Sequence, residues 1–238
     1  MAKKDIEARF EEHRSFILEK MENIEDYGYL SVYCLPKNLE NKISLDHIQN
    51  VLNGEKRFSE GLFYSKAPIR FQDGASRGYH PKAINQNIKS SYRITAYEDG
   101  LTTLDSQIDF LFYEKPELNP VGVSYEIQRI LQLAEAVIHR NASEIEFQVE
   151  LNYIKGWVIV AHDYRSRIYE FQGRSKPIQR NILVRDIHSN HENWNKVMPV
   201  VKDIMNEIAN IFGMRTMLVK CWDENEELEY AKFSPSTR

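Results

Sequence analysis

Tyr92-Arg-Ile-Thr-Ala-Tyr-Glu-Asp-Gly-Leu-Thr-Thr-Leu-Asp-Ser-Gln107 decides the fold class of this 238-residue chain. Two runs rich in β-branched and aromatic residues flank Glu98-Asp99-Gly100, and Asp-Gly is a strong signal for a tight antiparallel turn. The pattern predicts strands over Tyr92–Tyr97 and Leu101–Tyr113. In the second strand Leu104, Ile108, Phe110 and Phe112 share one face, and Asp105, Gln107 and Asp109 share the other. The acidic set reads as a solvated strand face.

Further along, Glu144 to Leu151 alternates in the same way. Ile145, Phe147, Val149 and Leu151 point inward, and Glu144, Glu146, Gln148 and Glu150 point outward. Tyr29–Leu35, Trp157–Ala161, Arg167–Phe171 and Ile182–Ile187 read as further strands, with Met217–Cys221 as a possible addition. Helical spacing appears four times. Asp5–Glu25 carries the stripe Ile6, Phe10, Ile17, Met21 and Ile24. Ser44 caps a short helix through Leu52. Ser124–Arg140 buries Ile127, Ile130, Leu131, Ala134, Val137 and Ile138. A last helix runs from about Asn190 or Glu192 to Gly213, with a break or kink expected at Pro199. The expected architecture is α+β, a single domain over 1–238 with mainly antiparallel sheet, about four helices and an acidic tail from about Asp223.

Hydrophobic residues make up 42% of the chain and charged residues 28%, which is a soluble globular composition. No apolar run reaches the roughly 18–20 residues of a membrane span, so no membrane partner is expected. The N-terminus is charged at once, with no apolar signal region. Cys34 and Cys221 have no metal spacing and point to reduced thiols in a cytoplasm, with a single bridge as the other option.

Charge is distributed unevenly. Lys56 to Thr95 holds eight Lys/Arg against Glu60 and Asp73, a +6 stretch in a chain of net charge −4. The stretch also carries Phe58, Phe63, Tyr64, Phe71, Tyr79 and Tyr92. Its middle, Gln72 to Lys82, has turn residues and no period and reads as a long surface loop. Cations interleaved with aromatics could neutralise phosphates and stack on bases. On that reading Arg70, Arg77, Lys82, Lys89 and Arg93 contact phosphate and Tyr79 stacks. Two other readings stay open. The aromatics could belong to the core while the cations pair with the chain's own acids, or the stretch could dock on an acidic protein or a second copy.

Catalytic and cofactor patterns are sparse, and no cofactor is expected. The phosphate-loop pattern GxxxxGK[ST] is absent, and Gly74-Ala-Ser-Arg-Gly78 offers at most a loose phosphate nest. Asp105 and Asp109 lie roughly 13 Å apart at about 3.3 Å per residue, too far to chelate one ion. No metal site is expected. The nearest approach to one is His188-Ser-Asn-His191, whose spacing suits a metal only on a helix. His162 and Asp163 have no evident nucleophile beside them.

Ser91-Tyr-Arg-Ile-Thr-Ala-Tyr-Glu-Asp-Gly-Leu101 resembles the "S-Y-x-x-x-F-R-N-G" strand and turn of bacterial proteins that join an Alba-type, schlafen-like DNA-binding domain to a C-terminal region. Tyr97, Glu98 and Asp99 stand where that family has Phe, Arg and Asn. Ile145 to Gly156-Trp157 is similar to the family's "V-x-V-x-L-x-L-x-x-V-x-G-Y" strand pair, and Tyr29–Pro36 to its "L-H-x-x-P" strand. Ile182–Ile187 and the helix to Phe212 match its closing elements. The resemblance implies the C-terminal region alone, without the Alba-type domain and with no catalytic residue to carry over. The reading that follows is a non-catalytic cytoplasmic module of nucleic-acid-binding machinery. A protein-interaction scaffold is the alternative. A hydrolase or nuclease built on His162, Asp163, His188 and His191 is the third.

Overall fold

The computed structural model describes residues 3–21, 28–54, 63–65, 67–81, 92–107, 117–118, 120–138, 142, 144–163, 170–174, 182–190 and 197–213. In chain order these form α1 (Lys3–Lys20), β1 (Tyr29–Lys37), α2 (Leu45–Gly54), β2 (Phe63–Ser65), β3 (Ile69–Phe71), β4 (Gly74–Pro81), β5 (Tyr92–Tyr97), β6 (Thr102–Gln107), β7 (Glu117–Leu118), α3 (Pro120–Ile138), β8 (Glu144–Asn152), β9 (Val158–Asp163), β10 (Glu170–Arg174), β11 (Ile182–Asn190) and α4 (Val197–Ile211). The class is α+β. Eight strands form one sheet in the order β11-β8-β1-β6-β5-β4-β2, with β3 also paired to β4. A smaller sheet runs β10-β9-β7, in which β7 and β9 are parallel.

The β5–β6 hairpin forms where the turn signal sits. Gly100 has φ 83°, a conformation that favours glycine, and its amide donates to Tyr97 O at 2.9 Å. The Asp99 carboxylate accepts the Leu101 N–H at 3.0 Å. Ser44 caps α2 as its position suggests, accepting the His47 N–H at 3.2 Å. Pro199 falls in the first turn of α4, where a backbone N–H has no helical partner, so the expected kink is replaced by an ordinary helix start.

The main sheet has two chemically different faces. One presents Leu30, Val32 and Cys34 of β1, Ile94 and Ala96 of β5, Leu104 of β6, and Phe147, Val149 and Leu151 of β8. Ile48 and Leu52 of α2, Ile127 and Ile130 of α3, and Ile204 and Ile208 of α4 pack against them. At about 1.5–3 kcal/mol per fully buried large apolar side chain, this layer supplies most of the driving force for folding. The opposite face is covered by α1. Ile6 and Phe10 pack on Tyr33, Leu35 and Tyr97, and Ile17 and Met21 pack on Tyr29.

Two sequence expectations fail for one reason. Gly74–Pro81 is strand β4, paired to β5 on one side and to β2 and β3 on the other, and not a long surface loop. Its amides are engaged in these ladders, which removes the phosphate nest. Glu144, Glu146, Gln148 and Glu150 were expected outward and solvated, yet Gln148 and Glu150 are buried. In both cases the strand meets a buried polar layer, so hydrophobic alternation does not mark the inward side. Ile108 to Tyr113, Met217 to Cys221 and the acidic tail lie outside the described residues.

Candidate functional site: a buried polar layer beneath α1

Antiparallel register assembles this layer in rows across the sheet. Asp105 of β6 lies opposite Ser31 of β1 and Arg93 of β5, and Ser31 lies opposite Glu150 of β8. The next row is Ser76, Thr95, Thr103, Tyr33 and Gln148. A third row places Tyr29 between Gln107 and Asn152. Because side chains alternate with period two, these residues share the α1 face while Leu104, Val32 and Val149 occupy the apolar one.

Asp105 is the centre of the layer and has no solvent exposure. Its Oδ1 accepts from Tyr29 Oη at 2.7 Å and Ser31 Oγ at 2.5 Å. Its Oδ2 accepts from Thr103 Oγ1 at 3.2 Å and meets His13 Nε2 at 2.9 Å. Burial alone would raise this carboxyl. The charge of His13 and the hydrogen bonds from His13, Ser31 and Tyr29 outweigh burial and hold it below the usual carboxylate range. A carboxylate only accepts, so His13 carries its proton on Nε2. That leaves Nδ1 facing Tyr97 Oη at 2.8 Å. The imidazole is itself fully buried, edge-on to the Tyr33 and Tyr97 rings at 5.7 Å from each.

Two further clusters fasten α1. Arg14 bonds the buried Glu150 carboxylate, which also accepts from Gln148 and, at 3.2 Å, from Asn152. Arg9 lies 4.1 Å over the Tyr97 ring and donates to Asp99 at 2.6 Å and Glu12 at 2.7 Å. Burial pushes the phenols of Tyr29, Tyr33 and Tyr97 up, so all three stay protonated donors. The Tyr33 hydroxyl, fully buried, meets no partner at hydrogen-bonding geometry.

The solvated-face reading of Asp105 is therefore corrected: four donors and a helix enclose it. Sequence reasoning passed over His13 as well. Its signal was the gap in the α1 stripe between Phe10 and Ile17, which a core-facing residue had to fill at three- or four-residue spacing.

The residues singled out for phosphate contact do not converge among the described residues. Arg70 pairs with Asp46 and Gln49 on α2. Arg77 donates to the carbonyls of Leu52 at 2.7 Å and Asn53 at 3.2 Å, closing the C-terminal end of α2. Arg93 lies half-buried on the polar face, donating to Ser76 Oγ at 2.8 Å, and burial draws its guanidinium down against the pull of Asp105. Tyr79 sits in β4 opposite Tyr92 and Ser65. Lys82 and Lys89 lie outside the described residues. His188 belongs to β11, and His162 and Asp163 end β9 opposite Phe171 and Glu170. His191 lies outside the described residues, among which no group of three or more His, Cys, Asp or Glu is placed to hold a metal ion. Among them, too, no helix is long and apolar enough to cross a membrane. Burial raises the Cys34 thiol well above its ordinary value, which keeps it protonated and inert.

Comparison with family models, with curated proteins and with solved structures gave no match for this chain.

Proposed function

We propose that the chain is a non-catalytic cytoplasmic module that binds nucleic acid at one corner of its main sheet, in machinery of the schlafen-like type that its sequence resembles. The supporting observation is the strand register. β2 begins at Phe63 opposite Pro81, the last residue of β4, and β5 begins at Tyr92 opposite Tyr79. Pro81 and Tyr92, the described residues that bracket Lys82 and Lys89 in the sequence, therefore lie at one corner of the sheet beside Tyr79. Arg70, Arg77 and Arg93 serve as braces behind it. Among the described residues, the pair with the look of a catalytic dyad, His13 and Asp105, is fully buried with both imidazole nitrogens engaged, which favours binding over catalysis.

The test is fluorescence anisotropy with single- and double-stranded oligonucleotides across a salt series. Affinity falls steeply as salt rises, because each neutralised phosphate releases counterions. The double substitution Lys82→Glu/Lys89→Glu abolishes binding, while Arg77→Gln leaves the salt slope unchanged. Binding that is flat with salt, or absent at micromolar protein, overturns this reading.

One observation favours a protein-interaction scaffold as the second reading: all three described arginines of the basic stretch are already engaged within the chain. Absence of nucleic-acid binding together with a defined oligomer or co-purifying acidic partner would select it.

A further inference from the structure

The helices on the two faces of the sheet are seated differently. α2, α3 and α4 rest on an apolar layer, as permanent core helices do. α1 brings two arginines and a histidine to polar receptors. Arg9 meets Asp99 and the Tyr97 ring, His13 meets Asp105, and Arg14 meets Glu150. Asp105 and Glu150 flank Ser31 in one row, roughly 10 Å apart across two strand spacings. Beside the apolar contacts of Ile6, Phe10, Ile17 and Met21, α1 thus relies on part-buried ion pairs and one buried polar pair, and apolar residues of similar volume would hold a permanent helix as well or better. The fit is also incomplete, because α1 leaves the Tyr33 hydroxyl in the middle of its seat unbonded. A Phe there would serve a permanent cover equally well.

We propose that the sheet face beneath α1 is a docking site for a basic amphipathic helix of a partner protein, and that α1 fills it as an internal stand-in. The two buried carboxylates select the partner. It carries hydrogen-bond donors at positions i, i+4 and i+5 of a helix, the spacing of Arg9, His13 and Arg14, with arginine at the first and last and apolar residues in the places of Phe10 and Ile17. It also offers a polar group to Tyr33. Release of α1 and capture of the partner are then one exchange, so the site is closed until a better-fitting helix arrives.

The probe is a labelled synthetic peptide with the sequence of residues 1–21, followed by anisotropy on the full-length chain. In the variant Arg9→Ala/Arg14→Ala, whose own helix is loosened, peptide affinity rises at least tenfold over the unmodified chain. Adding Glu150→Gln to that variant reverses the gain, and a peptide with Gln at positions 9, 13 and 14 does not bind. Equal binding of that Gln peptide overturns the proposal. So does failure of the double variant to bind while the amides of β1 and β6 keep their protection, or exchange of α1 between two copies in place of peptide capture. Should the double variant not fold, hydrogen exchange on the unmodified chain decides. Amides of Lys3–Lys20 exchange at least a hundredfold faster than those of β1 and β6 if α1 is displaceable, and equal rates overturn the proposal.

Discussion

His13 and Asp105 lie 92 positions apart in the chain, yet Nε2 of one stands 2.9 Å from Oδ2 of the other with no solvent at either side chain. The contact joins the first helix to the middle of the sheet. It brings a hydrogen-bonded charge into an interior that would otherwise reject it.

Removing the imidazole strands that charge. His13→Ala is expected to cost about 3–5 kcal/mol, the usual penalty for breaking a buried pair from one side. His13→Gln, which can still donate to Asp105, loses less. Urea unfolding midpoints measure both, and a loss for His13→Ala no larger than about 1 kcal/mol would show that the pair behaves as an exposed one.

Acid acts through Asp105. Its carboxyl is held below the ordinary value in the folded chain, so the unfolded chain takes up the proton first as pH falls. The stabilisation is complete above the unfolded carboxyl value of about 3.9 and is lost as pH drops through the lower folded value. Melting temperature measured from pH 7 to pH 2.5 should fall more gently below about pH 4 in Asp105→Asn, from a lower starting point. Parallel curves for the two proteins would remove Asp105 from the acid transition.

Two glycines separate backbone strain from steric conflict. Gly100 and Gly156 have φ of 83° and 85°, but a Cβ on Gly100 would come within 2.4 Å of Pro36 Cγ while one on Gly156 meets nothing within 4 Å. Gly156→Ala should cost about 1–2 kcal/mol, the left-handed penalty alone. Gly100→Ala should cost clearly more, because Pro36 or the hairpin has to move. Thermal denaturation of both variants gives the difference, and equal losses would mean that the β5–β6 turn yields freely.

Arg77 should report on α2 and not on the corner of the sheet proposed to bind nucleic acid. Arg77→Met removes donors from two carbonyls and a cation from a helix C-terminus, for an expected loss of about 1–2 kcal/mol. Exchange of the α2 amides should quicken more than that of β5. Unchanged α2 protection would assign the guanidinium another role.

Much of the fold was legible in the sequence because local chemistry and packing agree there. Gly100 gave the hairpin, Ser44 the start of α2, and Ile145 to Leu151 the apolar side of β8. The polar layer was not legible, because alternation reports which side is apolar and not which side is buried. Asp105, Gln148 and Glu150 read as solvated for that reason. Gly74–Pro81 showed no period because an apolar and a polar residue in succession, Ala75 and Ser76, are both buried there. His13 was recoverable only as a missing member of the α1 stripe. Arg70, Arg77 and Arg93 form part of a basic run in sequence, yet they are divided in space between a helix face, a helix end and the polar layer.

Asp105 also guards strand alignment. Ser31 faces Asp105 and Val32 faces Leu104 in the β1–β6 ladder. A slip of one residue would carry the carboxylate among Leu30, Ile127 and Ile130 and bring Leu104 beneath His13, at a cost of several kcal/mol for the unpaired charge alone. A sheet greasy on both sides would tolerate that error. Here each misaligned pairing exposes itself through a single side chain, so the central strands have one register in which both neighbours are satisfied.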